Sequence, residues 1–287
     1  MTGDEPLAAG GSAPVDPAGL DLAEARATVR EATPLVNALT NAVTVNDVAN
    51  ATLHWGGLPV MSDDDREVAS MVAGAQGLLL NMGTVSEASE AAMMTAGDAA
   101  ADHGVPVVVD PVGAGATPTR DRVAERLVTE LSPAVVSGNY GEIAALAGED
   151  AEVRGVESVG DHADIAETAV ACARETGAVV VASGETDVVA TGGRAFEVRS
   201  GDSMMGRVVG TGCLLGVTLA TFAAAIDDPL EASLAGTLAF GLAGEAAAAE
   251  AFGAYHGPSS YLTTFLDAIA GHEPTTDPAD RIREVIA

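Results

Sequence analysis

Five short apolar runs punctuate the chain, and they constrain its fold more than any other feature. They are Leu58–Met61, Gly77–Met82, Val105–Asp110, Ala134–Ser137 and Ala178–Ser183. Runs of this length with few polar residues read as strands buried on both faces. Polar and Ala-rich stretches of helical length lie between them, near 64–75, 86–103, 119–131 and 161–176. The alternation predicts βαβ units: an α/β fold with a mostly parallel central sheet and helices on both faces. Farther on, Asp187–Thr191 and Arg194–Arg199 flank Gly192-Gly193 and read as a β-hairpin, its glycines supplying positive φ angles. The stretch Ala232–Ala251 is Ala-rich but interrupted by Glu245 and Glu250, so it reads as a buried helix rather than a membrane span.

Residues 1–19, rich in Gly, Pro, Ala and Asp, read as a disordered acidic tail. Residues 20–272 read as one domain, with no internal repeat or linker. Residues 273–287, with Pro274 and Pro278, read as a C-terminal loop and short helix. The N-terminus lacks a basic segment followed by an apolar run, which argues against a signal peptide and for a cytoplasmic location. Cys172 and Cys213 stand far apart without CxxC spacing, which excludes a disulfide framework and a zinc site of that type.

Charge narrows the function classes. The chain has 42 acidic residues against 13 basic ones, a formal charge of −29, and every basic residue is Arg. Such a surface repels both a phosphate backbone and an anionic membrane, so neither nucleic acid nor a membrane is an expected partner. An acidic, Lys-free, Ala-rich chain with 3% aromatic residues resembles the cytosolic proteins of salt-accumulating halophiles. Molar salt screens repulsion to about 3 Å.

In an open parallel sheet, ligands bind beyond the carboxyl ends of the strands. Four segments follow predicted strands or open helices in that way. Val109-Asp110-Pro111-Val112-Gly113-Ala114-Gly115-Ala116-Thr117 runs from a strand into a loop of small residues, either a backbone anion cradle or a Pro-Gly turn. In Ser137-Gly138-Asn139-Tyr140-Gly141-Glu142, Asn139 and Glu142 fit a capping box on a helix over 141–147. The alternative places the Glu142 carboxylate on hydrated Mg²⁺, which takes only one or two protein carboxylates. Gly210-Thr211-Gly212-Cys213 opens a helix whose amides, at 211–213, form an anion site. A thiol there has a lowered pKa, unless Cys213 is simply a small buried residue. Across Asn37–Asn50, four Asn and two Thr interleave with apolar residues; a helix from Val43 puts Asn46 and Asn50 on one face.

Together these segments resemble the hydroxyethylthiazole kinase family of the ribokinase-like superfamily over roughly residues 30–270. The likeness rests on Thr40-Asn41, Asn46, Ala49-Asn50, Gly56-Gly57-Leu58-Pro59-Val60-Met61 and Asn81-Met82-Gly83-Thr84. It continues in Asp110–Thr117 with Arg120, Gly138-Asn139 with Glu142, and Gly210–Cys213. The resemblance implies that ATP and Mg²⁺ phosphorylate the primary alcohol of 4-methyl-5-(2-hydroxyethyl)thiazole, in thiamine salvage. It places Met61 and Gly210 on the thiazole alcohol with Asn41 and Asn46 nearby. Arg120 is placed on the ATP phosphates beside Thr211 and Gly212, Ser183 on ATP, and Asp110 and Glu142 near magnesium. Cys213 stands where most of the superfamily has a catalytic Asp, and relatives form homotrimers with the site at the subunit contact. Three positions depart from the family pattern: Ser183 for Thr, Val209 for Thr, and His54-Trp55, which puts the single Trp at a subunit contact. Another small alcohol, such as hydroxymethylpyrimidine, or a non-catalytic ATP or thiazole sensor are the rival readings. Cys213 argues against the first, and Arg120, Glu142 and Cys213 together argue against the second.

Overall fold

In the computed structural model, residues 19–148 and 165–287 are described, together with the pairing of 153–154 with 157–158. The tail read over 1–19 lies almost wholly outside them. Nine strands form one sheet: β1 (Leu35–Leu39), β2 (Leu58–Val60), β3 (Gly77–Asn81), β4 (Val107–Asp110), β5 (Val135–Asn139), β8 (Val179–Ser183), β9 (Asp187–Ala190), β10 (Ala195–Val198) and β11 (Ile282–Ile286). The short strands β6 (Val153–Arg154) and β7 (Glu157–Ser158) pair with each other. Across the sheet the order is β2, β1, β3, β4, β5, β8, β9, β10, β11. From β2 through β8 all neighbours are parallel, and the last three pairings are antiparallel.

The period-two facing of each strand divides the core into two layers. Leu79, Val108, Val135 and Val181 pack on one side with α1 (Leu22–Ala32), α2 (Val45–Trp55), α8 (Thr211–Ala223), α9 (Pro229–Ala248) and α10 (Pro258–Gly271). Leu78, Leu80, Val109, Val136 and Val180 pack on the other with α3 (Val68–Val72), α4 (Glu87–His103), α5 (Pro118–Glu130), α6 (Tyr140–Leu146) and α7 (Ile165–Thr176). Helix α8 lies close on the sheet because β3 starts at Gly77. A Cβ there would stand 2.8 Å from the Ala220 carbonyl oxygen. Helix α9 is buried along most of its length, and among the described residues no helix is long and apolar enough to cross a membrane.

Four expectations need correction. β1 falls where the sequence showed only an Asn-rich segment. Asn37 in its middle is fully buried, its amide donating to the Ser62 carbonyl at 3.2 Å and accepting from the Ser62 N–H at 3.0 Å. The C-terminal loop does lead into a short helix, a 3₁₀ turn at Pro278–Asp280, but the last residues form strand β11 instead of ending there, laid antiparallel along β10. Neither Gly192 nor Gly193 takes the left-handed φ expected of it; the turn is closed by the Thr191 hydroxyl, which accepts from the N–H of Arg194 at 3.2 Å. Trp55 is core rather than contact surface. It is 2% exposed, donates to Thr218 Oγ1 at 2.8 Å, meets Phe222 edge-on and carries the Arg26 guanidinium over its ring.

Candidate active site

Because β1, β2, β3, β4, β5 and β8 run parallel, their carboxyl ends share one edge of the sheet. From β1 the chain moves out to β2, whereas β3 and its successors build in the opposite direction, so the topological switch falls between β1 and β3. Asn41, Met61, Asn81, Asp110, Asn139 and Ser183 sit at or just beyond these ends. The N-terminus of α8 arrives at the same edge, with Gly216 one turn in, close against the Asp110 carboxylate.

A line of buried side-chain hydrogen bonds crosses this edge. Register pairs Asn81 with Asp110, and the Asn81 amide donates to Asp110 Oδ2 at 2.5 Å. The Asn81 oxygen accepts from Asn41 Nδ2 at 3.1 Å and from the Gly83 N–H at 3.1 Å. Asn41 in turn accepts the N–H groups of Val43 and Thr44 on its oxygen and donates to Cys213 Sγ at 3.5 Å. The line diverges from the Asn41 amide nitrogen, which donates toward Asn81 and Asp110 on one side and to the Cys213 thiol on the other. Asp110, Asn81, Asn41 and Cys213 are all buried.

Helix α8 begins without a side-chain cap. Gly210 takes φ +94° as its N-cap, and a Cβ there would overlap Thr44 Cγ2. The first intrahelical bond runs from the Leu214 N–H to the Gly210 carbonyl at 2.9 Å. The amides of Thr211, Gly212 and Cys213 precede that bond, and nothing stands within 4 Å of where a Gly212 Cβ would lie. The Thr211 hydroxyl donates to the carbonyls of Met205 and Val208, tying the preceding 3₁₀ turn to the helix. Cys213 does not carry the lowered pKa expected from the helix end. Burial pushes its thiol up to about 11, the Asp110 charge adds to this, and donors from Thr44, Asn81 and Asn41 only partly oppose it. Desolvation is the largest of these influences on the thiol.

Helix α6 begins in the opposite manner. Asn139 accepts the Glu142 N–H at 2.9 Å, and Glu142 Oε2 accepts the Asn139 N–H at 2.8 Å, the full capping box. Glu142 Oε1 also accepts the Gly113 N–H at 2.7 Å, joining α6 to the loop after β4. Burial raises Glu142 to about 7 against these backbone donors and the Arg120 charge. Asp110 is raised by burial and by the Glu142 charge, with Asn81 opposing. Two buried carboxyl groups that disfavour each other's ionisation fit a hydrated divalent cation nearby. Among the described residues no three His, Cys, Asp or Glu side chains gather into a metal cage. That donor set suits Mg²⁺, which keeps most of its waters.

The remaining expected residues are dispersed along the edge. Arg120 lies on α5, capped by Thr117, and crosses Gly113; its Nη1 donates to the carbonyls of Met82 at 2.9 Å and Val112 at 2.5 Å, its Nη2 to Gly83 at 3.1 Å. It clamps the loops after β3 and β4. Ser183 ends β8 in register with Asn139 and donates to the Gly138 carbonyl at 3.3 Å. Met61 follows β2, half-buried against the core. Asn46 is exposed and donates to Asp47 Oδ1 at 3.4 Å, while Asn50 is half-buried, so their shared face of α2 is not an internal one. A cavity of about 660 Å³ opens beside Asn41, lined by Leu39, Thr40, Ala42, the acidic loop 63–65 and Thr84. Asn81 was visible in the sequence only as part of a motif; its role needs the β3–β4 register.

A sequence model of the Hydroxyethylthiazole kinase family matches residues 27–273. The hydroxyethylthiazole kinase of Natronomonas pharaonis is 62% identical, over 94% of this chain and 98% of its own. The solved structure of a hydroxyethylthiazole kinase protein from Pyrococcus horikoshii superposes with a TM-score of 0.81 at 34% identity, covering 92% of this chain and 98% of that one. A ribokinase-like superfamily protein from Enterococcus faecalis shares the fold alone, with a TM-score of 0.60 at 12% identity over 85% and 88% of the two chains.

Proposed function

The chain belongs to the hydroxyethylthiazole kinase family, and from that premise we propose that its sheet edge phosphorylates the hydroxyl of 4-methyl-5-(2-hydroxyethyl)thiazole with ATP, in thiamine salvage. The observation that carries this reading is the uncapped N-terminus of α8 beside the Asn41–Cys213 contact. Phosphoryl transfer asks for positioning and charge stabilisation more than for covalent chemistry. The amides of Thr211, Gly212 and Cys213, with the dipole of a 13-residue helix behind them, receive the phosphoryl group. Gly210 gives the backbone the turn that exposes them.

Cys213 adjoins the acceptor alcohol. Its high pKa makes it a neutral thiol at neutral pH, so it orients the hydroxyl rather than serving as a resting thiolate. Asn41 fixes the sulfur, and Met61 and Asn46 complete the thiazole side. Ser183 lies on the nucleotide side, and Arg120 serves the phosphates by holding the two loops that border them. Asp110 and Glu142 would hold hydrated Mg²⁺, which supplies charge neutralisation to the phosphates.

The assembly is a homotrimer. Val43, Val45, Leu53, Leu58 and Val209, the large apolar side chains exposed among the described residues, all belong to the α2–β2 flank and the approach to α8. Strand β2 is the edge strand of the sheet in the same flank. Asn46 is exposed there too, where a neighbouring subunit would close the thiazole side. The location is cytoplasmic, and the charge of −29 suits a halophile's salt-rich interior.

The test is product formation in molar KCl with MgATP and a panel of alcohols. Thiazole phosphate and ADP should form in equal amounts. Faster turnover of hydroxymethylpyrimidine would overturn the substrate, and ATP binding without turnover of either alcohol would favour a sensor.

A further inference from the structure

Thr52, Thr218, Thr221 and Thr264 are buried in helices, and each donates its hydroxyl to the carbonyl four residues back, at 2.7–3.0 Å. Thr44 is used differently. It is the N-cap of α2, where a threonine hydroxyl ordinarily accepts an N–H of the first turn, yet it makes no such bond. Thr44 is 3% exposed, and its Oγ1 has no hydrogen-bond partner among the described residues. Thr40, Ser200, Ser233 and Thr237 share that lack; Thr40 borders the cavity beside Asn41, and the other three pack against or within α9. Thr44 stands at the reacting end of α8. A buried hydroxyl without a partner is costly to the fold, and its position there points to a ligand.

The surroundings fix where that oxygen lies. The Thr44 N–H bonds to Asn41, to Oδ1 at 3.2 Å and to the carbonyl at 3.3 Å, and the Thr44 carbonyl accepts the Val48 N–H at 2.9 Å. The Thr44 methyl is pressed on Gly210, where an added Cβ would overlap it. With the backbone tied and the methyl seated, a side chain stiff at χ1 cannot turn its oxygen elsewhere. The Cys213 sulfur is near enough for the hydroxyl to favour its thiolate, though not at hydrogen-bonding geometry. The amides of residues 211–213, which receive the phosphoryl group, begin one residue beyond Gly210.

We propose that Thr44 recognises the acceptor hydroxyl: its Oγ1 accepts a hydrogen bond from the substrate alcohol and holds the alcohol oxygen beside the α8 amides. The assignment rests on the kinase reading of this edge. A threonine hydroxyl offers one proton and two lone pairs. With the proton turned to the Cys213 sulfur, the lone pairs are left for the alcohol. An alcohol that donates to Thr44 keeps its own lone pairs for phosphorus, which is the alignment that transfer requires. The same contact sets a specificity. A site that ends on a buried hydroxyl rejects an analogue without the alcohol, because Thr44 then stays unpaired.

The experiment measures binding of two compounds by calorimetry in molar KCl: 4-methyl-5-(2-hydroxyethyl)thiazole, and 5-ethyl-4-methylthiazole, which lacks only the hydroxyl. The proteins are wild type, Thr44→Val, Thr44→Ser and Thr218→Val, with the Tm of each measured free of ligand. Wild type should favour the alcohol by about tenfold, the range of one hydrogen bond. Thr44→Val should lose about that factor for the alcohol and nothing for the ethyl compound, while Thr44→Ser keeps the preference. The Tm of Thr44→Val should hold or rise by about 2 °C, since a methyl replaces an unpartnered hydroxyl. Thr218→Val is the contrast. Its hydroxyl accepts from Trp55 Nε1 and donates to the Leu214 carbonyl, so its Tm should fall with the alcohol preference intact. No preference in wild type, an undiminished preference in Thr44→Val, equal losses for both compounds, or a fall in Tm matching that of Thr218→Val would each overturn the assignment alone. Wild type that binds neither compound would overturn the thiazole reading and the assignment with it.

Discussion

Helices α6 and α8 start at the same edge of one sheet and end up with opposite surfaces. Helix α6 is closed by its own sequence: Asn139 and Glu142 satisfy each other's backbone, and the second Glu142 oxygen takes the Gly113 N–H. Helix α8 starts on a glycine with positive φ and has no capping side chain, so its first amides precede the first intrahelical bond uncapped. A helix end that satisfies itself has nothing left for a ligand; one left open keeps its dipole and donors available. A carboxylate belongs to the closed end and a transferring phosphate to the open one. Breaking each end in turn should therefore give different phenotypes.

The largest effect is expected at the open end. Gly210→Ala adds a methyl that overlaps Thr44 Cγ2 on a backbone at φ +94°, so the turn must shift and the amides with it. Loss of one well-aimed donor costs about 2.7–4 kcal/mol of transition-state stabilisation. Turnover should fall roughly a hundred- to a thousandfold. Gly148→Ala is the control, since Gly148 also has positive φ but no neighbour within 4 Å of its Cβ. That variant should lose only about 1 kcal/mol of stability and keep its rate. Equal rates in the two variants would remove α8 from the chemistry.

At the closed end the expected phenotype is in stability first. Glu142→Gln keeps one acceptor for two N–H donors, which costs about 1–3 kcal/mol. The cost should depend on pH. Glu142 sits near 7 in the folded chain against an ordinary 4.5, so between those values the folded state holds a proton that the unfolded chain has lost. Wild-type stability from this group therefore falls as pH rises from about 4.5 to 7, whereas Gln does not titrate. The Tm gap between wild type and Glu142→Gln should narrow over that window. A gap that widens would show that the carboxylate is ionised in the fold. If Glu142 also holds Mg²⁺, the Mg²⁺ concentration needed for half-maximal turnover should rise in the same variant.

Much of this contrast was legible in the sequence, and the reasons for the misses are physical. The Asn139–Glu142 spacing predicts the capping box because its partners are three residues apart. The apolar runs predict five of the six parallel strands because burial on both faces leaves a continuous signature. β1 escapes because Asn37 interrupts its run, and that amide is tolerated only because Ser62, distant in sequence, pairs with both its ends. β11 escapes because Arg283 and Glu284 face outward on an edge strand, where they bond to Glu197 and Arg194. The Asp110–Asn81–Asn41–Cys213 line depends on strand register, which local pattern does not encode. The protonation of Cys213 depends on how deeply α8 is buried, and Gly77 sets that from 136 residues away.

The two cysteines supply the next test. Cys172 lies within α7, where burial first and then the Glu175 charge push its thiol up to about 12; Cys213 reaches about 11 with amide donors opposing. The pair separates a thiolate base from an orienting thiol. A thiolate acting in proton transfer would make Cys213→Ala lose about 10²–10⁴-fold in kcat. A neutral thiol that orients the alcohol contributes one hydrogen bond, so the expected loss is about tenfold. Cys172→Ala should turn over at the wild-type rate. A loss in the higher range would restore the thiolate and show that ligand binding overrides burial.

The smallest expected effect, and the most direct, is the reactivity of the thiols in the free protein. With ordinary exposed thiols near 8.5, alkylation by iodoacetamide at pH 7 proceeds through a thiolate fraction of a few per cent. At about 11 the thiolate fraction of Cys213 is roughly three-hundredfold smaller, and that of Cys172 lies lower still. Both should resist the reagent at pH 7, and the rate at Cys213 should climb as pH rises past 9. Asn41→Ala removes the donor that Cys213 Sγ receives at 3.5 Å, so it should slow that climb and leave Cys172 unchanged. Rapid alkylation of Cys213 at pH 7 would mean that the α8 dipole dominates its burial. The contrast between the two helix ends would then extend to the thiol itself, with the open end holding a charge of its own before any phosphate arrives.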